Sequence, residues 1–411
     1  MRGLWLLSRA VRDYTDLTRR LADLIVGFGA NVQPGQLVGV ASDLGKEELT
    51  REIARAAYER GALYVDVLYW DQLIKRQRLL HGDPETLEYI PPWMSERMLH
   101  FSNEHAARIS LSGPQELHAL DGIVADRSGR DTLPYLPDTM KILNLRTTNW
   151  CVAPAPTRGW AEVVYPDVDP DDAYDRLWEA IAYVCRLDAD DPVLAWNERI
   201  ATAKQGSEAL TNRHFDAIHL HGPGTDLTVG LFPSSTWRAA ESTTVDGLNH
   251  RPNIPSEETF TTPDPLRVDG YVTATRPLFL YGSIISGIRV GFEGGRAVKI
   301  DADENVETLR SACAKDDGGT RLGELALVDG GGRIGPLETV FFNTLLDENA
   351  ASHIAFGSAY AKGVADEADK QRINMSKIHI DFMIGSPAIH VDGITTAGEH
   401  VPVLRDGAWQ I

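Results

Sequence analysis

QLVGVASDLGKEELTREIARAAYERGALYVDVLYW, residues 36–70, carries a strand, a helix and a second strand in succession. Gln36–Ser42 is an apolar run of strand length. Lys46–Arg60 repeats apolar residues at helical spacing, with Ile53, Ala57 and Tyr58 on one side. Gly61 follows as a C-cap glycine would. Ala62–Trp70 is rich in Val, Leu and aromatic residues, as strands are. Ala107–Ser112 (ARISLS) is a third strand of the same kind. This β-α-β rhythm predicts an α/β N-terminal domain with a mostly parallel or mixed sheet covered by helices.

Downstream, Asp171–Arg186 sets Tyr174, Leu177, Trp178, Ile181 and Val184 at helical spacing, and Pro192–Phe215 is a second long helix. The acidic stretch Asp188–Asp191 between them is a linker or cap. The domain boundary falls there, giving an N-terminal domain over 1–188 and a C-terminal domain over 189–411. From Asp216 onward strands dominate: 217–220, 227–232, 271–274, 288–292 and 297–300, with Gly294-Gly295 as a hairpin turn. This is a strand-rich α+β domain with few helices.

Forty basic against 59 acidic residues give a net charge of −19. That sign repels phosphate backbones and argues against nucleic acid as a partner. Cys151, Cys185 and Cys313 are odd in number and widely spaced, with no CxxC, so neither a disulfide framework nor a cysteine zinc site is expected. A reducing cytoplasm fits. The apolar run Leu4–Leu7 is too short for a signal peptide core, and no stretch approaches the ~20 apolar residues that span a bilayer.

Single-segment catalytic patterns are missing. There is no HExxH, no GxSxG and no P-loop. Gly330, Gly332 and Gly335 form a GxGxxG after a strand, but Pro336 and the strand-like Thr339–Phe342 follow where a dinucleotide site needs a helix N-terminus. The stretch is read as a loop.

What remains is carboxylates and histidines on strands and loops. Glu257 and Glu258 are adjacent in NIPSEETFTTP (253–263), so in a strand they face opposite ways. Glu324 leads into the apolar run Leu325–Val328. FFNTLLDENAASHIAFG (341–357) encloses Asp347, Glu348 and His353. Glu348 and His353 would lie ~140° apart on a helix, so a shared site needs a break between them. Asn349 is placed to cap a short helix from Ala350, on which His353 and Tyr360 would share a face. In KIHIDFMIG (377–385), His379 and Asp381 project from one face of a strand while Ile378, Ile380 and Phe382 fill the other. Burying that polar pair without a partner is costly, and a metal satisfies both. His390 with Asp392, and His219 with His221, have the same spacing and are rivals. Asp392-Gly393 looks like a turn.

Two divalent ions ~3.5–4 Å apart need about two histidines and several carboxylates, one of them bridging. Three Glu and one Asp with two neutral His would balance two dications. Such ions share a water, lower its pKa and polarise a carbonyl, which is metal-assisted hydrolysis. Zinc, cobalt, manganese and magnesium all suit carboxylate-rich sites.

Several stretches carry a resemblance: HGPGTDLTVGL (221–231), NIPSEETFTTP (253–263), RLGEL (321–325), FFNTLLDENAASHIAFG (341–357) and HIDFMIGS (379–386). With weaker likeness at LYWDQLIKRQRL (68–79), they resemble the thermophilic aminopeptidases of the aminopeptidase T, PepS and AmpS type over most of the chain. The resemblance implies a homodimeric metallo-aminopeptidase with two divalent ions per subunit, acting on peptides with a free N-terminus. It implies Glu258, Glu324, Glu348, His353, His379 and Asp381 as ligands, with Glu324 bridging, and Tyr360 stabilising an oxyanion. It leaves out His219, Glu257, His390 and Asp392. In the implied reaction a bridging water attacks the scissile carbonyl, and Glu258 or Glu257 carries the proton to the leaving amine. The sequence departs from the family at SEET for TEEV, at His221 for a glutamine and at His390. These departures spare the ligands and alter a pocket or add an adventitious metal site.

Overall fold

The computed structural model describes residues 13–411, apart from 117, 132, 135, 137 and 138. The run Leu4–Leu7 lies outside them. Leu37–Asp43 is the central strand of a four-stranded sheet, between Tyr64–Trp70 and Ala107–Ser112, with Asn149–Pro154 at one edge. All pairings are parallel, as the β-α-β rhythm requires. The helix Glu47–Glu59 buries Leu49, Thr50, Ile53, Ala56 and Ala57. Gly61 ends it with φ +85°, a conformation in which a side chain would be strained. Tyr58 is a correction to the helical face read from the sequence. It is 50% exposed, because its ring leaves the buried stripe and its hydroxyl accepts the Val65 N–H.

Pro170–Val184 and Pro192–Arg213 form the two long helices. Asp169 and Asp191 cap them, each accepting a backbone N–H of the first turn. Trp196 and Ile200 of the second helix join the core under the parallel sheet, and Leu210 joins a second core.

That second core lies between a five-stranded and an eight-stranded sheet. The five-stranded sheet runs in the order His379–Met383, His353–Gly357, Leu322–Val328, Glu258–Thr261, Arg238–Ala239. Its pairs are antiparallel. Leu325, Leu327, Ile354, Phe356, Ile380 and Phe382 turn one of its faces into the core. The eight-stranded sheet presents Ile218, Leu220, Val229 and Val391 from the other side. Gly294 and Gly295 make the turn between Arg289–Glu293 and Arg296–Asp301, as expected.

Four local expectations fail. Asp392-Gly393 is not a turn but lies buried within strand His390–Ile394, paired with His219 and Ile218. Thr339–Phe342 is not a strand; Phe341 is instead buried in the first core, and its N–H donates to Asp347. Asn349 caps no helix. It sits in a 3-10 turn, 348–350, accepts the Glu257 N–H and donates to Leu345 O. His353 lies on a strand, so Tyr360 shares no helical face with it. Ile354 and Phe356 belong to the second core, and an extended chain is what carries both into it.

Candidate metal centre

The face of the five-stranded sheet away from the core carries the charged residues. Glu258 is opposite Val328, Ala326 opposite His353, Ala355 opposite Asp381, and Gly357 opposite His379. Glu324 pairs with Ala355 across a bulge. Ala326, Ala355 and Gly357 are small, so the polar side chains have room above the strands. Gly357 has φ +96°, and a Cβ there would lie 2.1 Å from Ile378 O. Glu348 reaches the same place from the 3-10 turn before His353.

The six residues converge in three overlapping sets whose ligand atoms lie within 4.8 Å of one another: Glu258/Glu324/His353, Glu324/His379/Asp381 and Glu348/His353/Asp381. His353 Nε2 is 3.1 Å from Glu258 Oε2 and 3.9 Å from Glu324 Oε1. His379 Nε2 is 3.5 Å from both Glu324 Oε2 and Asp381 Oδ1. The opposite edge of each ring is held by the backbone. His353 Nδ1 lies 3.2 Å from Ala351 O and His379 Nδ1 lies 2.7 Å from Ser358 O. A proton on Nδ1 satisfies those carbonyls and leaves each Nε2 lone pair facing the carboxylates, the arrangement of a metal-binding imidazole.

The electrostatics show a cluster that draws in positive charge, whether as protons or as metal ions. Burial raises the Glu324 carboxyl, and neighbouring Glu258 and Asp381 add to the rise against the His379 hydrogen bond. Glu348 is pushed well above the usual carboxylate range by burial and by the charges of Asp381 and Glu258. Burial opposes protonation of His353, but the hydrogen bond and charge of Glu258 outweigh it and lift the imidazole to about 10. Burial likewise opposes protonation of His379, and Asp381 and Tyr360 overcome it. Asp381 is held low despite burial, chiefly by His379. Four buried carboxylates in one cluster are neutral only if they retain protons or gain cations. With both Nε2 atoms aimed among them, the donor set fits divalent metal ions.

The cluster lines a cavity of about 650 Å³. Trp150, Phe279, Tyr281 and Leu143 supply apolar wall, and Asp43, Ser112 and Gly113 come from the carboxyl ends of two adjacent parallel strands. That edge is where doubly wound sheets receive ligands. Pro252 O accepts the Val152 N–H at 2.7 Å and Val152 O accepts the Ile254 N–H at 3.0 Å, tying the parallel sheet to the segment entering Glu258. Tyr360 lines the cavity, its ring centroid 5.2 Å from that of His379.

The two adjacent glutamates diverge. Glu257 is buried away from the cavity, 3.0 Å from Arg186 Nη1 and 2.5 Å from Arg199 Nε. Its carboxylate is engaged by both arginines, which leaves Glu258 as the glutamate of the pair in the site. His219, His221, His390 and Asp392 gather elsewhere, on the outer face of the eight-stranded sheet. Gly330 and Gly332 lie in turn and bend, and Gly335 opens only the three-residue 3-10 turn Gly335–Leu337, so no long helix N-terminus follows as a dinucleotide site needs. Sequence reasoning missed Lys362. It lines the cavity, its Nζ lies 4.9 Å from the Phe260 ring and 5.4 Å from the Tyr360 ring, and burial lowers its pKa to about 8. Nothing in its own neighbourhood, YAKG, marks it.

The family model for thermophilic metalloproteases (M29) matches residues 15–409. Aminopeptidase T of Thermus aquaticus is 40% identical over 97% of this chain and 99% of its own length. Aminopeptidase PepS of Streptococcus thermophilus is 35% identical over 97% and 99%. The solved structure of wild-type AmpT from Thermus thermophilus superposes with a TM-score of 0.87 at 37% identity, over 97% of this chain and 100% of that one. The chain therefore belongs to the thermophilic metalloprotease (M29) family.

Proposed function

We propose that the protein is a metal-dependent aminopeptidase that removes N-terminal amino acids from peptides at a dinuclear centre. The observation that carries this reading is the buried sheet face where four carboxylates and two backbone-pinned imidazoles meet at the floor of a cavity. Glu258, Glu324, Glu348, His353, His379 and Asp381 would hold two divalent ions, zinc, cobalt, manganese or magnesium, with Glu324 shared because its two oxygens face different histidines, Oε1 towards His353 and Oε2 towards His379. When bound, the ions supply an activated water and a Lewis acid for the scissile carbonyl.

The remaining roles belong to the chain. Glu258 lines the cavity and is the carboxylate we assign to carry a proton to the leaving amine. Tyr360 would donate its hydroxyl proton as a hydrogen bond to the developing oxyanion. The walls formed by Trp150, Phe279 and Tyr281 exclude water and bind the first side chain of the peptide. Division of the chain at 188/189 belongs to the same reading, with the N-terminal domain roofing the site that the C-terminal domain builds. So does a cytoplasmic homodimer with sites facing a shared interior. The buried thiols Cys151, Cys185 and Cys313 support a reducing compartment.

Glu324→Ala is expected to lose metal and activity together while circular dichroism stays that of the wild type. Normal turnover of amino-acid amides by the purified variant would overturn the assignment. Activity should stop with chelator, return with added metal, and be absent on N-blocked peptides; cleavage of blocked peptides at equal rate would point to another amide hydrolase. Sedimentation velocity tests the dimer, and a monomer at working concentration would exclude it.

A further inference from the structure

The histidines that the metal centre does not use are also brought together. Strand Ala217–Gly222 pairs with His390–Ile394 so that His221 faces His390 and His219 faces Asp392. Strand His400–Arg405 lies on the other side and adds His400, opposite Ile394. Thr225–Leu231 adds Asp226, opposite His221. The strand period of two puts Ile218, Leu220 and Val391 in the second core and these polar residues on the outer face.

His219, Asp392 and His400 offer ligand atoms within 4.8 Å of one another. Asp392 is nearly buried and uses its two oxygens differently. Oδ1 accepts a hydrogen bond from Arg405 Nη2. Oδ2 is 3.2 Å from His221 Nε2 and 3.8 Å from His400 Nδ1. The His219 ring is oriented by Asp226, whose Oδ1 is 2.8 Å from Nε2. A proton on Nε2 satisfies that contact and leaves Nδ1 as a lone pair, and this Nδ1 is a buried atom with no hydrogen-bond partner. A carboxylate behind one ring nitrogen and an unsatisfied lone pair on the other is the arrangement of a metal-ligating histidine. A buried polar atom left unpaired costs free energy that a cation would recover. The His221 ring stacks on that of His219 at 4.9 Å, and His400 packs edge-on at 5.5 Å, so the rings are already gathered.

We propose a separate metal site on the outer face of the eight-stranded sheet, formed by His219, Asp392 and His400 with His221 as fourth donor, selective for zinc-class divalent ions. Three imidazoles and one carboxylate suit zinc, nickel or copper, whereas magnesium and calcium prefer oxygen. The ion would join strand Ala217–Gly222 to the sequence-distant hairpin of His390–Ile394 and His400–Arg405 and act as a structural cross-link, apart from the hydrolytic centre.

The test uses the full chain and zinc alone. After chelation, zinc titration followed by desalting and metal analysis should give the wild type one more ion per chain than His219→Ala/His400→Ala. Turnover of an aminoacyl amide at saturating metal should be equal in the two. His400 is about half exposed, so His400→Gln spares the fold; it should weaken that one site at least about tenfold, the scale seen when even an outer partner of a ligand is lost. Equal zinc content in wild type and double variant would overturn the site. If the double variant fails to fold, the single variant decides: unchanged zinc affinity in His400→Gln overturns the proposal.

Discussion

At the residue scale, the clearest contrast is between Glu257 and Glu258. A strand period of two already separates them, but it does not say which one enters a site. Arg186 and Arg199 decide that, because they reach Glu257 from the turn after helix Pro170–Val184 and from helix Pro192–Arg213, 71 and 58 residues earlier. Removing one member of a buried ion network leaves the others uncompensated. Glu257→Gln is therefore expected to destabilise the protein by about 3–5 kcal/mol while metal content per folded chain is retained. Denaturant unfolding beside metal analysis checks this, and metal loss at unchanged stability would contradict it. His250 gives a second prediction. Burial, with a smaller contribution from the charge of Lys362, lowers its pKa to about 4 from 6.5. The folded state thus holds a neutral ring that the unfolded chain protonates first. The stability it contributes is complete above pH 6.5 and is lost as pH falls from 6.5 to 4, by about 3 kcal/mol. His250→Gln should flatten that part of the pH–stability curve measured by urea unfolding; an equally steep acid limb would show that other groups cause it.

At the element scale, the strand bearing His379 and Asp381 is legible from KIHIDFMIG alone, since alternation separates the apolar face from the polar one. The stretch around His353 is not. Asn349 in front of alanines reads as a helix start, yet Ile354 and Phe356 gain more by entering the second core on a strand than a one-turn helix would provide. The candidate ligand face then depends on how closely that strand approaches its neighbour. Gly357→Ala would drive a Cβ into Ile378 O, next to His379. The expected result is a stability loss of at least about 1–3 kcal/mol and weaker metal binding. Thermal unfolding with and without metal measures both, and a variant with wild-type affinity would show that the strand pair adjusts freely.

At the scale of the whole molecule, the site lies where the carboxyl edge of a parallel sheet meets the face of an antiparallel one. An ion bound only by the folded chain stabilises it by mass action, about 2.7 kcal/mol per site at a hundredfold excess over Kd. Chelation should lower the melting temperature by several degrees and metal should restore it. Glu324→Ala should show a much smaller difference, and an equal difference would place the stabilising ion elsewhere. Among the described residues, no helix is long and apolar enough to cross a membrane.

The sequence by itself determined the β-α-β rhythm, the two long helices, the change to strands after Asp216 and the polar pair on one strand. Each of these rests on local period or punctuation, which a single segment expresses. Its likeness to the aminopeptidase T, PepS and AmpS type implies the six candidate ligands without reference to the fold. Only the tertiary structure decided that Glu257 turns away from Glu258, that His353 stands on a strand, that Lys362 enters the cavity, and that His219, His221, His390, Asp392 and His400 meet on one sheet face. These outcomes depend on pairing and packing between segments far apart in the chain, and no local pattern records them.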